Sequence, residues 1–91
     1  MNRNPAYRLE FRPKAKKQFD RLPNDVRPRI AAAINGLSAN PRPHGCLKMS
    51  GEDTLYRIRV GDYRIIYSIE DVVMLVLVVR VGARKSVYRG L

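Results

Sequence analysis

A chain of 91 residues, 45% of them hydrophobic, is long enough for one packed domain over 1–91 without metal or disulfide staples. Its single cysteine, Cys46, excludes an intramolecular disulfide, suits a reducing cytoplasmic setting and reads as an inert thiol. The formal net charge of +10, from 18 Lys and Arg against 8 Asp and Glu, points to a polyanionic partner, with nucleic acid first and an acidic protein second.

Arginine outnumbers lysine 13 to 5, a bias toward planar, bidentate contacts with phosphate. The polar, basic stretch from Met1 to Phe11 does not read as a signal peptide. The longest apolar run, Val72 to Val79, is far short of the roughly 20 residues that cross a bilayer. It reads instead as part of a strand buried on both faces, and no membrane partner is expected.

In chain order, Tyr7, Leu9 and Phe11 alternate with Arg8, Glu10 and Arg12, the period of a short half-buried strand. Pro13 suits the first turn of a helix, which Ala15, Phe19 and Leu22 continue at helical spacing over 14–22. Asn24 or Asp25 can cap a second helix over 25–38, with Pro28 in its first turn and Val26, Ile30, Ala33, Ile34 and Leu37 as its apolar stripe. The short link between the two predicts an antiparallel αα-hairpin.

Residues 40–54 read as a loop, with Pro41, Pro43, Gly45 and Gly51 and no clear period. His44 in this loop is either a general base or an exposed bystander. From Leu55 the period becomes two. Leu55 to Val60 is one strand, Gly61-Asp62 a two-residue turn, and Tyr63 to Ile69 the return strand. Glu70-Asp71 reads as a second turn and Val72 to Val81 as a third strand, broken by Gly82 and followed by a basic tail. The fold class is therefore α+β: a short N-terminal strand and an αα-hairpin packed on an antiparallel β-meander.

A two-residue turn at Gly61-Asp62 sets the register. Val60 then faces Tyr63, Arg59 faces Arg64, Ile58 faces Ile65, Arg57 faces Ile66, and Tyr56 faces Tyr67. One side is apolar. The other carries Arg57, Arg59 and Arg64 with Ile66. Directly opposed side chains start about 5 Å apart at Cβ, and like charges there are destabilising. A phosphate between the two guanidiniums reverses that sign; otherwise both side chains splay into water. In the tail, Arg84, Lys85, Tyr88 and Arg89 lie just past the last strand. A tyrosine among cations can stack on a base, titrate, or pack the terminus onto the sheet. No metal-ligand spacing, histidine pair or Gly-rich phosphate loop is present, so no metal or other cofactor is expected.

The segments Leu47-Lys48-Met49-Ser50-Gly51, Leu55 to Tyr67 ("LYRIRVGDYRIIY") and Val81 to Tyr88 ("VGARKSVY") together resemble the RelE/ParE toxin superfamily. The order of elements agrees along nearly the whole chain. The resemblance implies a toxin of a type II toxin–antitoxin system, held silent by a cognate antitoxin. RelE-type members enter the ribosomal A site and cut the mRNA there; ParE-type members share the fold and poison DNA gyrase. The RelE branch implies a metal-independent endoribonuclease, and the gyrase inhibitor is the alternative. On this resemblance Arg59, Arg64, Arg84 and Tyr88 are the expected catalytic residues and Arg57 holds the RNA, with Lys48, Lys85 and Arg89 as further expected RNA contacts. Two features depart from the relatives. Arg57 and Arg59 replace lysines of the best-known enzyme, and arginine cannot give up its proton to act as a base. Ala83 stands where many relatives carry histidine or another basic residue.

Overall fold

The computed structural model describes residues 6–49, 51 and 54–87. The alternation at the N-terminus becomes β1, Arg8–Phe11, with Leu9 and Phe11 packed on the core. Pro13 opens α1, Pro13–Asp20, which buries Ala15 and sets the Phe19 ring 5.8 Å from that of Phe11. The second helix, α2, spans Arg27–Ala39 with Pro28 in its first turn and buries Ile30, Ile34 and Leu37. These are i, i+4 and i+7, the stripe a core-facing helix needs. The expected cap is not formed. Val26 holds the N-cap position without a side-chain bond, and the Asn24 Oδ1 instead accepts from both Arg27 Nη atoms at 2.8 and 3.0 Å.

The remaining strands are β2, Leu47–Lys48; β3, Leu55–Val60; β4, Tyr63–Glu70; and β5, Leu75–Ala83. The sheet order is β1-β5-β4-β3-β2. The β2 to β5 pairings are antiparallel, as the meander requires, but β1 pairs with β5 in parallel and makes the sheet mixed. A parallel neighbour needs a long crossover, which the two helices and intervening strands supply. Both helices pack on one sheet face, around Ile58, Ile65, Tyr67, Ile69, Val76, Val78 and Val81.

Three expectations for the second half are corrected. The loop over 40–54 contains the two-residue strand β2. The third long strand begins at Leu75, because Glu70 pairs with Leu75 and leaves 71–74 as the turn. Val72 and Val73 are therefore not buried strand residues; they are 99% and 61% exposed at the turn. Gly82 does not break the strand, since it pairs with Arg64 and β5 continues to Ala83.

Candidate active site: an arginine face on the open side of the sheet

The hairpin register is the one the turn predicts: Val60 opposite Tyr63, Arg59 opposite Arg64, Ile58 opposite Ile65, Arg57 opposite Ile66 and Tyr56 opposite Tyr67. Gly61 makes the tight turn possible with φ at 60°, a region that disfavours other residues. Tyr56, Ile58, Val60, Tyr63, Ile65 and Tyr67 face the helices. Arg57, Arg59 and Arg64 face away and line one depression of about 180 Å³ with Gly45 and Leu47. Pockets for drug-sized ligands start at about 300 Å³, so this one suits a single small group.

Arg64 is the unusual member. It is 8% exposed, deeply covered for a cation. Among the described residues its hydrogen bond is from Nη1 to the Tyr63 carbonyl at 3.4 Å, the long end of the range. Arg59, directly across, is exposed. Among the described residues neither is ion-paired. Their side chains start about 5 Å apart at Cβ, and two unit charges at that separation repel by roughly 1 kcal/mol in water and about 3 kcal/mol at an effective dielectric near 20. An anion placed between them turns that cost into attraction.

The structure adds a fourth arginine that the sequence pattern did not single out. Arg80 lies opposite Ile66 on β5, so one row across the sheet reads Leu47, Arg57, Ile66, Arg80. The next row reads Arg59, Arg64, Gly82. Arg80 is on this face because β5 carries a bulge: Tyr67 pairs with Val78 and Ile66 with Arg80, leaving Val79 as the extra residue. With strict alternation from Val76 and Val78, Arg80 would point into the core. That conflict is the signal the sequence offered, a lone cation at core parity. Leu47, also missed, is 52% exposed at the rim of the depression.

Residues 84–87 turn back onto this face. The Arg84 N–H donates to the Asp62 carbonyl at 2.8 Å, and the Ser86 and Val87 N–H groups donate to the Ala83 carbonyl at 3.0 and 2.9 Å. Val87 is 1% exposed. It fills the space a Cβ on Gly82 would enter, 3.6–3.7 Å from that point, beside Arg64. Arg84 and Lys85 line a neighbouring depression with Asp62 and Ala83 rather than the one that holds Arg57, Arg59 and Arg64. Lys48 pairs with Tyr56, so it points to the helix side and is not brought together with the arginines. Tyr88 and Arg89 lie outside the described residues. His44 is exposed and does not line the depression. Cys46 is half-buried against the core.

Away from this face, Arg42 binds Asp71 through two hydrogen bonds of 2.9 and 3.2 Å, stacks over the Tyr56 ring at 5.2 Å, and leaves Asp71 to accept also from Tyr7 Oη at 2.7 Å. The Arg42 guanidinium, then the Tyr7 hydroxyl, hold the Asp71 carboxyl below its usual range. Asp71 in turn raises Tyr7 and Arg42. Burial pushes the Tyr67 phenol up, so it stays a neutral donor, to the Pro41 carbonyl at 2.8 Å. This cluster ties Tyr7 before β1, the 40–46 loop and the β4–β5 turn together.

The fold and its arginine face define a small toxin of the RelE/ParE superfamily. The family model of the ParE toxin of the type II toxin–antitoxin system, parDE, matches residues 9–88, and the chain belongs to that family. Among solved structures, it is similar to the archaeal RelE–RelB complex from Pyrococcus horikoshii OT3, with 27% identity and a TM-score of 0.78 over 89% of this chain and 98% of that one. The isolated E. coli RelE toxin shares 29% identity, with a TM-score of 0.77 over 86% of this chain and 84% of that one. The RelB–RelE complex from Methanococcus jannaschii also shares 29%, with a TM-score of 0.73 over 90% and 98%. A comparison with curated protein sequences gives no significant match. Among the described residues, no helix is long and apolar enough to cross a membrane.

Proposed function

We propose that this toxin is a ribosome-dependent, metal-independent endoribonuclease that cuts mRNA in the ribosomal A site and so stops translation. The observation that carries the reading is the Arg59–Arg64 pair, two opposed cations in one small depression with Arg57 beside them. An anion between the two guanidiniums relieves that repulsion, and a phosphodiester oxygen pair fits their planar donors. The lining side chains are guanidiniums, which cannot ligate a metal ion but can clamp phosphate oxygens.

In the reaction, the mRNA 2′-oxygen attacks the adjacent phosphorus. An O2′–P bond forms and the P–O5′ bond breaks, giving a 2′,3′-cyclic phosphate and a free 5′-hydroxyl. Arg59 and Arg64 stabilise the charge that builds on the non-bridging oxygens. Arg57 holds the backbone, Arg84 stabilises the leaving 5′-oxygen, which takes its proton from water, and Lys85 and Arg89 are assigned as further RNA contacts. Tyr88 follows directly on Val87, which is seated beside Arg64, and is assigned the 2′-hydroxyl proton and base stacking. The ribosome supplies the alignment of the RNA.

The solved relatives that are complexes with RelB support an antitoxin as this chain's partner in the cell. The family's own description as a ParE toxin favours the second reading, inhibition of DNA gyrase without RNA cleavage. Mapping mRNA ends in a translating extract decides between them. Codon-phased cuts that need ribosomes support the nuclease; intact mRNA with gyrase-dependent supercoiling lost supports the other.

A further inference from the structure

The geometry points to a second phosphate subsite on the same face, made by Arg80 and Arg57 across Ile66, which holds the phosphodiester next to the scissile one. This inference rests on the reading of the arginine face as an RNA site. Arg64 lies at the centre of four cations. Arg59 is directly opposite, while Arg57 on β3 and Arg80 on β5 are its two diagonal neighbours. Diagonal side chains in a sheet start about 7–8 Å apart. Arg57 and Arg80 are separated by one strand, about 10 Å, twice the spacing of neighbouring strands. Ile66 between them is fully buried, so the floor of this row is apolar and the two guanidiniums stand at its edges. The scissile group takes the Arg59–Arg64 row, and one nucleotide further along the backbone the next phosphate reaches the Arg57–Arg80 row.

Arg80 reaches this position by a specific device. The extra residue Val79 reverses the parity of β5 between Val78 and Val81, so both valines face the core while Arg80 faces out. The bulge is pinned from outside, since the Val81 N–H, beyond the reach of β1, donates to Gln18 Oε1 of α1 at 3.0 Å. A cation set beside Arg64 by a bulge and a side-chain strut is a feature the hydrophobic core does not require. Arg80 and Arg57 each have an interaction within the fold, and the inference needs neither to be unpartnered.

The test uses the full-length toxin and two 2′-O-methylated ligands that cannot be cleaved, a dinucleotide with one phosphodiester and a trinucleotide with two. Affinities are measured by titration for wild type, Arg80→Gln, Arg80→Lys and Arg12→Gln. Arg12 lies at the other end of the open face and controls for net charge. The expected result is a trinucleotide bound several-fold tighter than the dinucleotide by wild type and Arg12→Gln. In Arg80→Gln that advantage disappears and dinucleotide affinity stays unchanged; Arg80→Lys regains part of it. The salt slope for the trinucleotide falls by about 0.7 in Arg80→Gln, one phosphate contact on a single strand. An advantage that survives in Arg80→Gln, or is lost equally in Arg12→Gln, overturns the subsite. Wild type binding neither ligand overturns the subsite, while the RNA reading is decided separately by cleavage on ribosomes. The length advantage with no cleavage on ribosomes leaves the subsite standing and removes the nuclease.

Discussion

Arg59 and Arg64 set function against stability at the level of single residues. Replacing Arg59 by Gln removes a like-charge contact, so the variant is expected to be more stable. Arg59 is exposed and solvent screens it, so the gain is at most about 1 kcal/mol. That corresponds to a few degrees in thermal midpoint for a domain of this size. Cleavage should fall in the same variant. For Arg64→Ala the loss in single-turnover rate should be about 10²- to 10³-fold, the usual effect of deleting one donor to a developing oxyanion. Thermal melts and cleavage rates on the same preparations check both signs, and an Arg59→Gln protein that is less stable contradicts the unpaired-cation description. The Arg57, Arg59 and Arg64 arrangement was legible in the sequence because a two-residue turn at Gly61-Asp62 leaves one register. Arg80 was not, because a bulge is a single-residue change of phase inside an otherwise regular apolar run.

At the level of elements, β5 depends on α1 for one backbone bond. Val81 is 2% exposed, and its N–H donates to the Gln18 side chain. Gln18→Ala strands that donor and is expected to cost about 1–3 kcal/mol. Amide exchange should show it first at Val81. The β4–β5 turn was misplaced by sequence reasoning for a related reason. Residues 72–79 are continuously apolar, and nothing local says that Val72 and Val73 stand in water. What fixes the turn is distant: Asp71 is held by Arg42 and Tyr7, and Met74 accepts a φ of 53°. The clasp carries a pH signature. Asp71 titrates lower in the folded state, so its contribution is complete above the ordinary carboxylate range and disappears as pH falls through the folded value. Tyr7 titrates higher, so its part is complete below the ordinary phenol range and is lost as pH rises through the raised value. Asp71→Asn should therefore flatten the dependence of thermal midpoint on pH between about 5 and 2, the window set by ordinary carboxylate values. An unchanged slope removes the clasp from the account.

Across the whole molecule, the excess of cations that gives +10 includes four arginines, Arg57, Arg59, Arg64 and Arg80, on the open face of the sheet. Two phosphates held by the four arginines on that face, each releasing about 0.7 counterion from a single strand, give an expected slope of about −1.4 for log affinity against log salt. A slope near zero points to apolar contacts in place of phosphate clamping. The α+β class and the order of elements were readable from periodicity and from the prolines that open both helices. The parallel pairing of β1 with β5 was not, since a four-residue strand has no turn to set its partner and β5 accepts it only because its other edge is free.

The central claim is that the Arg59–Arg64 row clamps a phosphodiester undergoing attack by its own 2′-hydroxyl. The most direct measurement is single-turnover cleavage of mRNA on programmed ribosomes, with chemical analysis of both new ends, for wild type, Arg59→Ala and Arg64→Ala. The account predicts a 2′,3′-cyclic phosphate and a 5′-hydroxyl from wild type, with both variants slowed at least about 100-fold, in keeping with loss of an oxyanion donor. Unchanged cleavage in both variants, or a 5′-phosphate at the cut, contradicts it.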